Sequence, residues 1–493
     1  MVAASPPDTP AHDAPGPPWH RLWALSLILA IVAALLVGWI GYIASDDALY
    51  YRGAARWLSD PPFAGSDHWT TRFPVVVPFA AMIALLGHGY PAFAATALLF
   101  YMLLIAVMMR LCASIAGARS GWIAAILTAT LPVVVASATT VGTDLAEASA
   151  LLIGVMLLTG ARAGSARGIA AGGAFGVAIL CRETSVLPLA ALGAIFLSGR
   201  PVERRLLVAA GLGIVLVLGA EAVFQYAATG DALRRYDLAF HHDAHIDRAA
   251  NREGNLLLWA PVDPLLVLLV NDDFGLLFWV LPLAWWQGRG RLTSPRAIVL
   301  AAMALASFAL VAVLVHKLVL NPRYFLLPAL AGVAWVAAWL AWLAPARRTM
   351  IMLAMVGSNL LLLSAANVHP RWTMEVLVEA SRSYPHEVVA ADPHIVAIAR
   401  ESLAFAGRRN VAPGPAGPGR LVVVEADEAP AGRIVARYPA PPTRIGAMIR
   451  SIGLEPWIPA PIARRMFHPG ADVVLVRTSA GACRRLTAPP CAA

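Results

Sequence analysis

Apolar and polar positions alternate along this chain in long blocks. Runs of about 20 apolar residues recur from Leu22 to Leu363. Each is long enough to cross a hydrocarbon layer about 30 Å thick. The runs predict spans over residues 22–44, 90–110, 120–139, 145–160, 206–228, 274–287, 297–316, 324–343 and 350–366. Residues 168–199 must leave one side of the membrane and return within about 32 residues, whereas two full spans need about 40. They predict two short helices with CRETS, Cys181 to Ser185, at their tips. That makes eleven membrane segments. Residues 74–88 are too short and too proline-interrupted to span, and predict a helix lying along the membrane surface.

Two other textures flank this block. Residues 1–20, rich in proline and polar residues, predict a disordered tail. From about 367 to 493 the periodicity changes. EVVAAD, LVVVEA and DVVLVRT read as short buried strands, and HIVAIARESLAFAG and TRIGAMIRSIG as amphipathic helices. The fold class is therefore an all-α polytopic membrane region, residues 21–366, followed by a small soluble α/β domain. That domain carries no glycine-rich nucleotide fingerprint.

Composition supports a bilayer as the solvent. Hydrophobic residues make up 59% of the chain and charged residues 14%, against roughly 25% charged in soluble domains. Closed barrels are excluded by the length and uniform apolarity of the runs. The net charge of +9 does not point to nucleic acid, because the arginines sit in short loops between spans. Arg110 with Arg119, Arg162 with Arg167, and Arg200, Arg204 and Arg205 mark three such loops. Arg289, Arg291 and Arg296, then Arg347 with Arg348, mark two more. The positive-inside rule puts these in the cytoplasm of an inner-membrane protein. The N-terminus then lies in the cytoplasm, and loops 45–88 and 229–273 and the C-terminus in the periplasm. Cys112 and Cys181 read as small core residues. Cys483 and Cys491 read equally as a disulfide or a free pair.

This topology collects ionisable residues at one membrane face, where each is costly unless a cavity or partner receives it. They are Asp46 with Asp47, Arg72, Asp144 with Glu147, Arg182 with Glu183, and Lys317 with Arg323. Guanidinium and ammonium groups suit phosphate, and a carboxylate beside them can take a proton from an attacking hydroxyl. That chemistry fits transfer of a group away from a lipid-linked phosphate. The plainer readings are helix caps for Asp46 and Asp144, interface anchors for Arg72, Lys317 and Arg323, and a structural pair for Arg182 and Glu183. His241, His242, Asp243 and His245 form the densest cluster of metal-ligand types. They make a divalent cation a candidate cofactor, beside sugar contact or a solvated loop.

The segments SDDALYYRGAARWL, TTRFPVVVP, TTVGTDLAEAS, ILCRETSVLPLAAL and NPRYFLLPAL, in that order, resemble the GT-C membrane glycosyltransferases. The branch they most resemble holds the protein O-mannosyltransferases and the lipid A aminoarabinose transferases. The resemblance covers residues 20–345. It implies inverting transfer of a sugar from a polyprenyl-phosphate donor to a lipid, glycan or protein acceptor on the periplasmic face. It further implies that Asp46 is the catalytic carboxylate, with Asp47 in the place usually held by a glutamate and Asp144 near the cavity. Arg72, Lys317, Arg323 and Tyr324 would hold the donor phosphate, with Arg182 and Glu183 in the cavity. The alternative classes are a secondary transporter or a noncatalytic polyprenyl-phosphate-binding protein. No clear internal repeat supports the transporter.

Overall fold

A computed structural model describes residues 18–160, 164–241, 262–290, 292–314, 321–414 and 418–479. Sixteen helices precede residue 366 among them. Six are long and apolar enough to cross a membrane: His20–Gly38, Tyr90–Ala116, Arg204–Thr229, Pro295–Val313, Pro322–Trp342 and Pro345–Ala365. A seventh span is made if Ala118–Thr130 and Pro132–Ala138, bent by 65°, count as one. The expected eleven is therefore not reached by length among the described residues. The segments expected over 145–160 and 274–287 are helices of only 15 and 12 residues, about 22 and 18 Å long at 1.5 Å per residue. The chain is a multi-pass membrane protein whose shorter helices are wedged among the long ones.

The sequence accounts for these elements locally. Helix α1 (Pro18–Gly38) is apolar throughout and exposes Leu22, Leu25, Ile28 and Leu36, as a lipid-facing helix does. Helix α2 (Asp46–Ser59) is amphipathic and short, and buries Asp47, Tyr50, Tyr51 and Ala54. Helix α3 (Phe73–Leu86) starts with Pro74 in its first turn, where no N–H is missed. After α4 (Tyr90–Ala116) comes the bent pair α5 (Ala118–Thr130) and α6 (Pro132–Ala138). Pro132 lacks an N–H for α5 and opens α6 instead, which makes the bend. Helix α7 (Asp144–Leu158) opens on two acids in its first turn, the favoured place for negative charge.

Helix α8 (Ser165–Cys181), a 3-10 turn (Glu183–Ser185) and α9 (Val186–Ser198) form the expected short hairpin. Helix α10 (Arg204–Thr229) packs tightly on α8. A Cβ on Gly172 would lie 1.8 Å from the Ala210 carbonyl oxygen, so only glycine lets the two backbones meet. Helices α11 (Arg234–His241), α12 (Asp263–Val270), α13 (Leu277–Gly288), α14 (Pro295–Val313), α15 (Leu326–Trp342) and α16 (Pro345–Ala365) follow. Helix α15 is the most enclosed of the long helices.

Beyond α16 lies a five-stranded sheet of order β2-β1-β3-β5-β4. Strand β1 (Val389–Ala391) runs parallel to β2 (Val411–Pro413) and β3 (Leu421–Glu425). Strand β5 (Val473–Thr478) runs antiparallel to β3 and to β4 (Gly432–Tyr438), with an irregularity between Ile434 and Ala436. Helices α17 (Trp372–Ser383) and α18 (Pro393–Phe405) carry buried faces beside it, and α19 (Arg444–Ser451) and α20 (Ala460–Phe467) precede β5.

Helix α18 ties this sheet to the membrane region. Glu401 accepts from the Tyr42 hydroxyl at 2.9 Å and from Arg52 Nε at 2.6 Å. The Phe405 ring meets the edges or faces of Tyr42, Tyr51 and Tyr90 at 5.0–6.0 Å. Arg371 Nε donates to the Ile43 carbonyl at 3.2 Å. The turn that carries Asp46 is thus held by residues more than 300 positions away in sequence.

Candidate active site

Four elements converge on one cleft. Helix α7 brings Asp144, Glu147 and Leu151, and the turn and start of α9 bring Arg182, Thr184 and Leu187. Helix α14 brings Ser307 and Val311, and the 3-10 turn Pro322–Phe325 leading into α15 brings Arg323 and Tyr324. The cleft is narrow, enclosing about 40 Å³, and opens to solvent. Its character is split, with charged groups beside an aliphatic wall of Leu151, Leu187, Val311 and Leu327.

Asp46 and Arg323 meet at its edge, with Asp46 Oδ2 3.4 Å from Arg323 Nη1. Both side chains keep more than a third of their surface exposed, so this pair is reachable. Asn321 accepts from the Arg323 backbone N–H and fixes the turn. Arg323 Nε is buried without a hydrogen-bond partner among the described residues, which leaves a donor in a cleft-lining cation.

Arg182 is the buried centre. Its Nη2 lies 2.6 Å from Asp144 Oδ1, a charge contact out of line for a hydrogen bond, and its Nη1 lies 3.5 Å from Glu147 Oε2. Nη2 also donates to Thr143 Oγ1 at 3.3 Å. Ser185 Oγ donates to Glu147 at 2.6 Å. The guanidinium groups of Arg182 and Arg323 both lie within 6 Å of the Tyr324 ring. Burying this many charges is tolerable only because each has an opposite partner.

A second, largely buried network lies alongside. Arg72 contacts the Tyr50 hydroxyl and His68 Nε2, and stands 3.9 Å from Glu183. Glu183 is claimed at 2.7 Å by Arg235, which has no exposed surface and also donates to the carbonyls of Thr71 and Leu180 at 2.6 and 2.8 Å. Arg235 was not singled out by the sequence. RRYD falls within the loop expected over 229–273, and only the fold shows that its second arginine stitches α11 to α8 and to the end of the first loop.

The expected site residues therefore divide. Asp46 with Arg323, and Asp144 with Arg182 and Tyr324, are brought to one place, while Arg72 and Glu183 sit in the adjoining network. Asp47 lies apart from them. It is 2% exposed, and its carboxylate accepts the backbone N–H groups of Ile43, Ser45 and Ala48 at 2.8, 2.6 and 3.0 Å. It closes the turn in which Ala44 adopts φ +56°, a strained value for a side-chain-bearing residue. Burial pushes the Asp47 carboxyl up to about 6, against the pull of those three N–H groups. Lys317 lies outside the described residues, as do His242, Asp243 and His245 of the metal candidates. His241 is exposed and bonded to Asp237. Among the described residues no group of three or more His, Cys, Asp or Glu is placed to hold a metal.

No family model matches this chain, and no curated protein matches it in sequence. Solved structures do match in fold. ArnT from Cupriavidus metallidurans bound to undecaprenyl phosphate superposes with a TM-score of 0.58 at 15% identity, covering 96% of this chain and 99% of that one. The same protein in its apo state superposes with a TM-score of 0.58 at 14% identity, with the same coverage. The Archaeoglobus fulgidus oligosaccharyltransferase in its apo form gives 0.49 at 14% identity, over 82% of this chain and 69% of that one. At such identities the likeness is one of fold. Over nearly the whole of both chains this polypeptide is similar in fold to ArnT, the GT-C architecture that its sequence motifs resemble.

Proposed function

We propose that this chain is a membrane glycosyltransferase that moves a sugar from a polyprenyl-phosphate donor to an acceptor at the periplasmic surface. The observation that carries the reading is the Asp46–Arg323 pair, 3.4 Å apart at the edge of a cleft with one charged and one aliphatic wall. Such a cleft suits an amphiphile with an anionic head and an alkyl tail. The ArnT structure that shares this fold was solved with undecaprenyl phosphate bound, a ligand of that kind.

In this reading an acceptor hydroxyl attacks the anomeric carbon from the face opposite the phosphate. The new carbon–oxygen bond forms as the bond to phosphate oxygen breaks, with inversion, and the electron pair leaves on the phosphate. The hydroxyl proton passes to the Asp46 carboxylate. Arg323 receives the phosphate charge through its exposed guanidinium, and Tyr324 orients the two flanking guanidinium groups. Asp144 and Glu147 hold Arg182 in place. Asp47 acts on the turn, keeping Asp46 at the start of α2, and takes no proton from substrate. Residues 21–366 are the catalytic unit, with eleven membrane segments if the short helices are counted. Residues 367–493 lie in the periplasm with the acceptor side of the site.

The test is turnover by purified protein with a panel of polyprenyl-phosphate sugars, read as released polyprenyl phosphate. Asp46→Asn is expected to bind donor and release nothing. An Asp46→Asn protein that turns over at the full rate would overturn the assignment. Absence of release from every donor, together with sugar or lipid uptake into vesicles, would favour a transporter.

A further inference from the structure

Residues 443–467 form a firmly built segment that exposes apolar side chains. The segment is locked from within. The Thr443 N–H donates to the Met466 carbonyl at 2.8 Å, and its hydroxyl caps α19 at the Gly446 N–H. A Cβ on Gly446 would lie 2.3 Å from the Met466 carbonyl oxygen, so α19 and the end of α20 touch backbone to backbone. Phe467 is buried beneath the Arg450 guanidinium, 5.2 Å away. Yet Met448, Ile452, Leu454, Trp457 and Ile462 all stand out, Trp457 with 82% of its surface exposed and Ile452 with 60%. Rigid segments do not hold this much apolar surface in water without a use for it.

Two further observations say what covers it. Helix α19 packs against α16, a helix long and apolar enough to cross a bilayer, whose Leu353 and Leu361 are themselves exposed. The patch therefore continues a lipid-facing surface. Its rim is basic, since Arg444, Arg450, Arg464 and Arg465 stand against one acid, Glu455, which Arg450 engages at 2.8 Å. Tryptophan and aliphatic residues framed by arginine are the composition of a group that lies in the headgroup layer. Arginine stems reach along such a surface while their heads meet lipid phosphate.

We propose that the segment 443–467 is an interfacial anchor that seats the C-terminal sheet on the outer leaflet beside α16, with a preference for anionic lipid. Trp457 and Ile452 enter the headgroup layer, and Arg444, Arg464 and Arg465 bind lipid phosphates. The inference does not depend on the transferase reading. It gives the sheet a second fixed point besides the Glu401 and Phe405 contacts, so the sheet is held at the membrane surface from two sides.

The test uses the full-length protein in lipid nanodiscs, with Cys483 and Cys491 changed to serine. Trp457→Cys carries an environment-sensitive fluorophore, and two quenchers compete for it: a nitroxide on the lipid headgroup and iodide in the water. Loss of emission to the lipid nitroxide with protection from iodide is expected. Free quenching by iodide with none by the lipid would overturn the proposal. Protection from both would also overturn it, pointing to a protein contact such as a second copy of the chain. Lipid quenching should be greater in discs containing phosphatidylglycerol than in phosphatidylcholine alone, and Arg464→Gln with Arg465→Gln should remove that difference. Equal quenching in both lipids would overturn the anionic preference. Thermal unfolding of each labelled variant verifies that the fold is intact.

Discussion

Removing Glu401 tests whether the C-terminal sheet holds the turn that presents Asp46. Glu401 is 6% exposed and bridges Tyr42 and Arg52. In Glu401→Ala the Tyr42 hydroxyl, itself in a 7% exposed residue, loses its partner, at a cost of about 1–3 kcal/mol. The Arg52 half contributes less. Arg52 is 42% exposed, and ion pairs open to water are worth about 0.2–1 kcal/mol. The expected loss is therefore on the order of 2–3 kcal/mol, read as a lower midpoint of thermal unfolding in detergent. Glu401→Gln keeps an acceptor for Tyr42 and loses only the charge, so it should cost under about 1 kcal/mol. Hydrogen exchange should rise in 42–52 in the alanine variant, because these backbone groups lie on the turn that α18 clamps. The Tyr42→Phe and Glu401→Ala double mutant should be less destabilised than the two single changes added together. An alanine variant as stable as the wild type, with unchanged exchange in 42–52, would refute the clamp.

Three other outcomes follow from the same geometry. Asp46→Asn should lower turnover by about 10²–10⁴-fold, the range for a lost general base, while donor binding measured by titration is retained. Arg182→Gln should destabilise by about 3–5 kcal/mol, because Asp144 and Glu147 are left buried near each other; a protein with an unchanged melting midpoint would contradict that pairing. Asp47 gives a pH signature. Its folded carboxyl is raised to about 6, above the ordinary 3.9, so its stabilising contribution is complete below about pH 4 and is lost as pH rises through 6. The difference in unfolding free energy between wild type and Asp47→Asn should shift across that window by on the order of 3 kcal/mol, and a flat difference would refute the burial argument.

Much of the membrane region could be read from hydropathy because the solvent imposes it. Only a helix satisfies its own backbone in lipid, so the apolar run 22–44 had to be helical somewhere. The hairpin at CRETS was legible from chain length alone, and α8 and α9 lie within the predicted 168–199 window to within a few residues. The number of full-length spans was not, because apolarity marks what is shielded from water and does not measure reach. Six helices among the described residues are long enough to cross, seven with the bent pair, against the eleven segments expected. Helix α13, LFWVLPLAWWQG, is as apolar as a span but only 12 residues long. In the sheet, β4 was missed for the opposite reason. GRIVARY is an edge strand with arginines on its exposed positions, and it lacks the apolar run that marked β3 and β5.

The charged residues show a sharper limit. Sequence marks an ionisable side chain at membrane depth as costly, and so in need of a partner. It does not say which partner, since pairing is settled by contacts far apart in the chain. Asp46 and Asp47 are neighbours of identical chemistry, yet one faces Arg323, 277 positions away, and the other turns back on its own loop. Helix geometry separates them. Residues one apart point about 100° apart around a helix, and here Asp47 is turned back onto the N–H groups of Ile43, Ser45 and Ala48 while Asp46 is left facing Arg323. The same logic hid Arg235, whose neighbour Arg234 bonds the Gly65 carbonyl, while Arg235 spans three elements. The two acids at the start of this helix are thus one group facing the cleft and one closing its own turn, and what separates them is which carboxylate the backbone N–H groups of the turn capture.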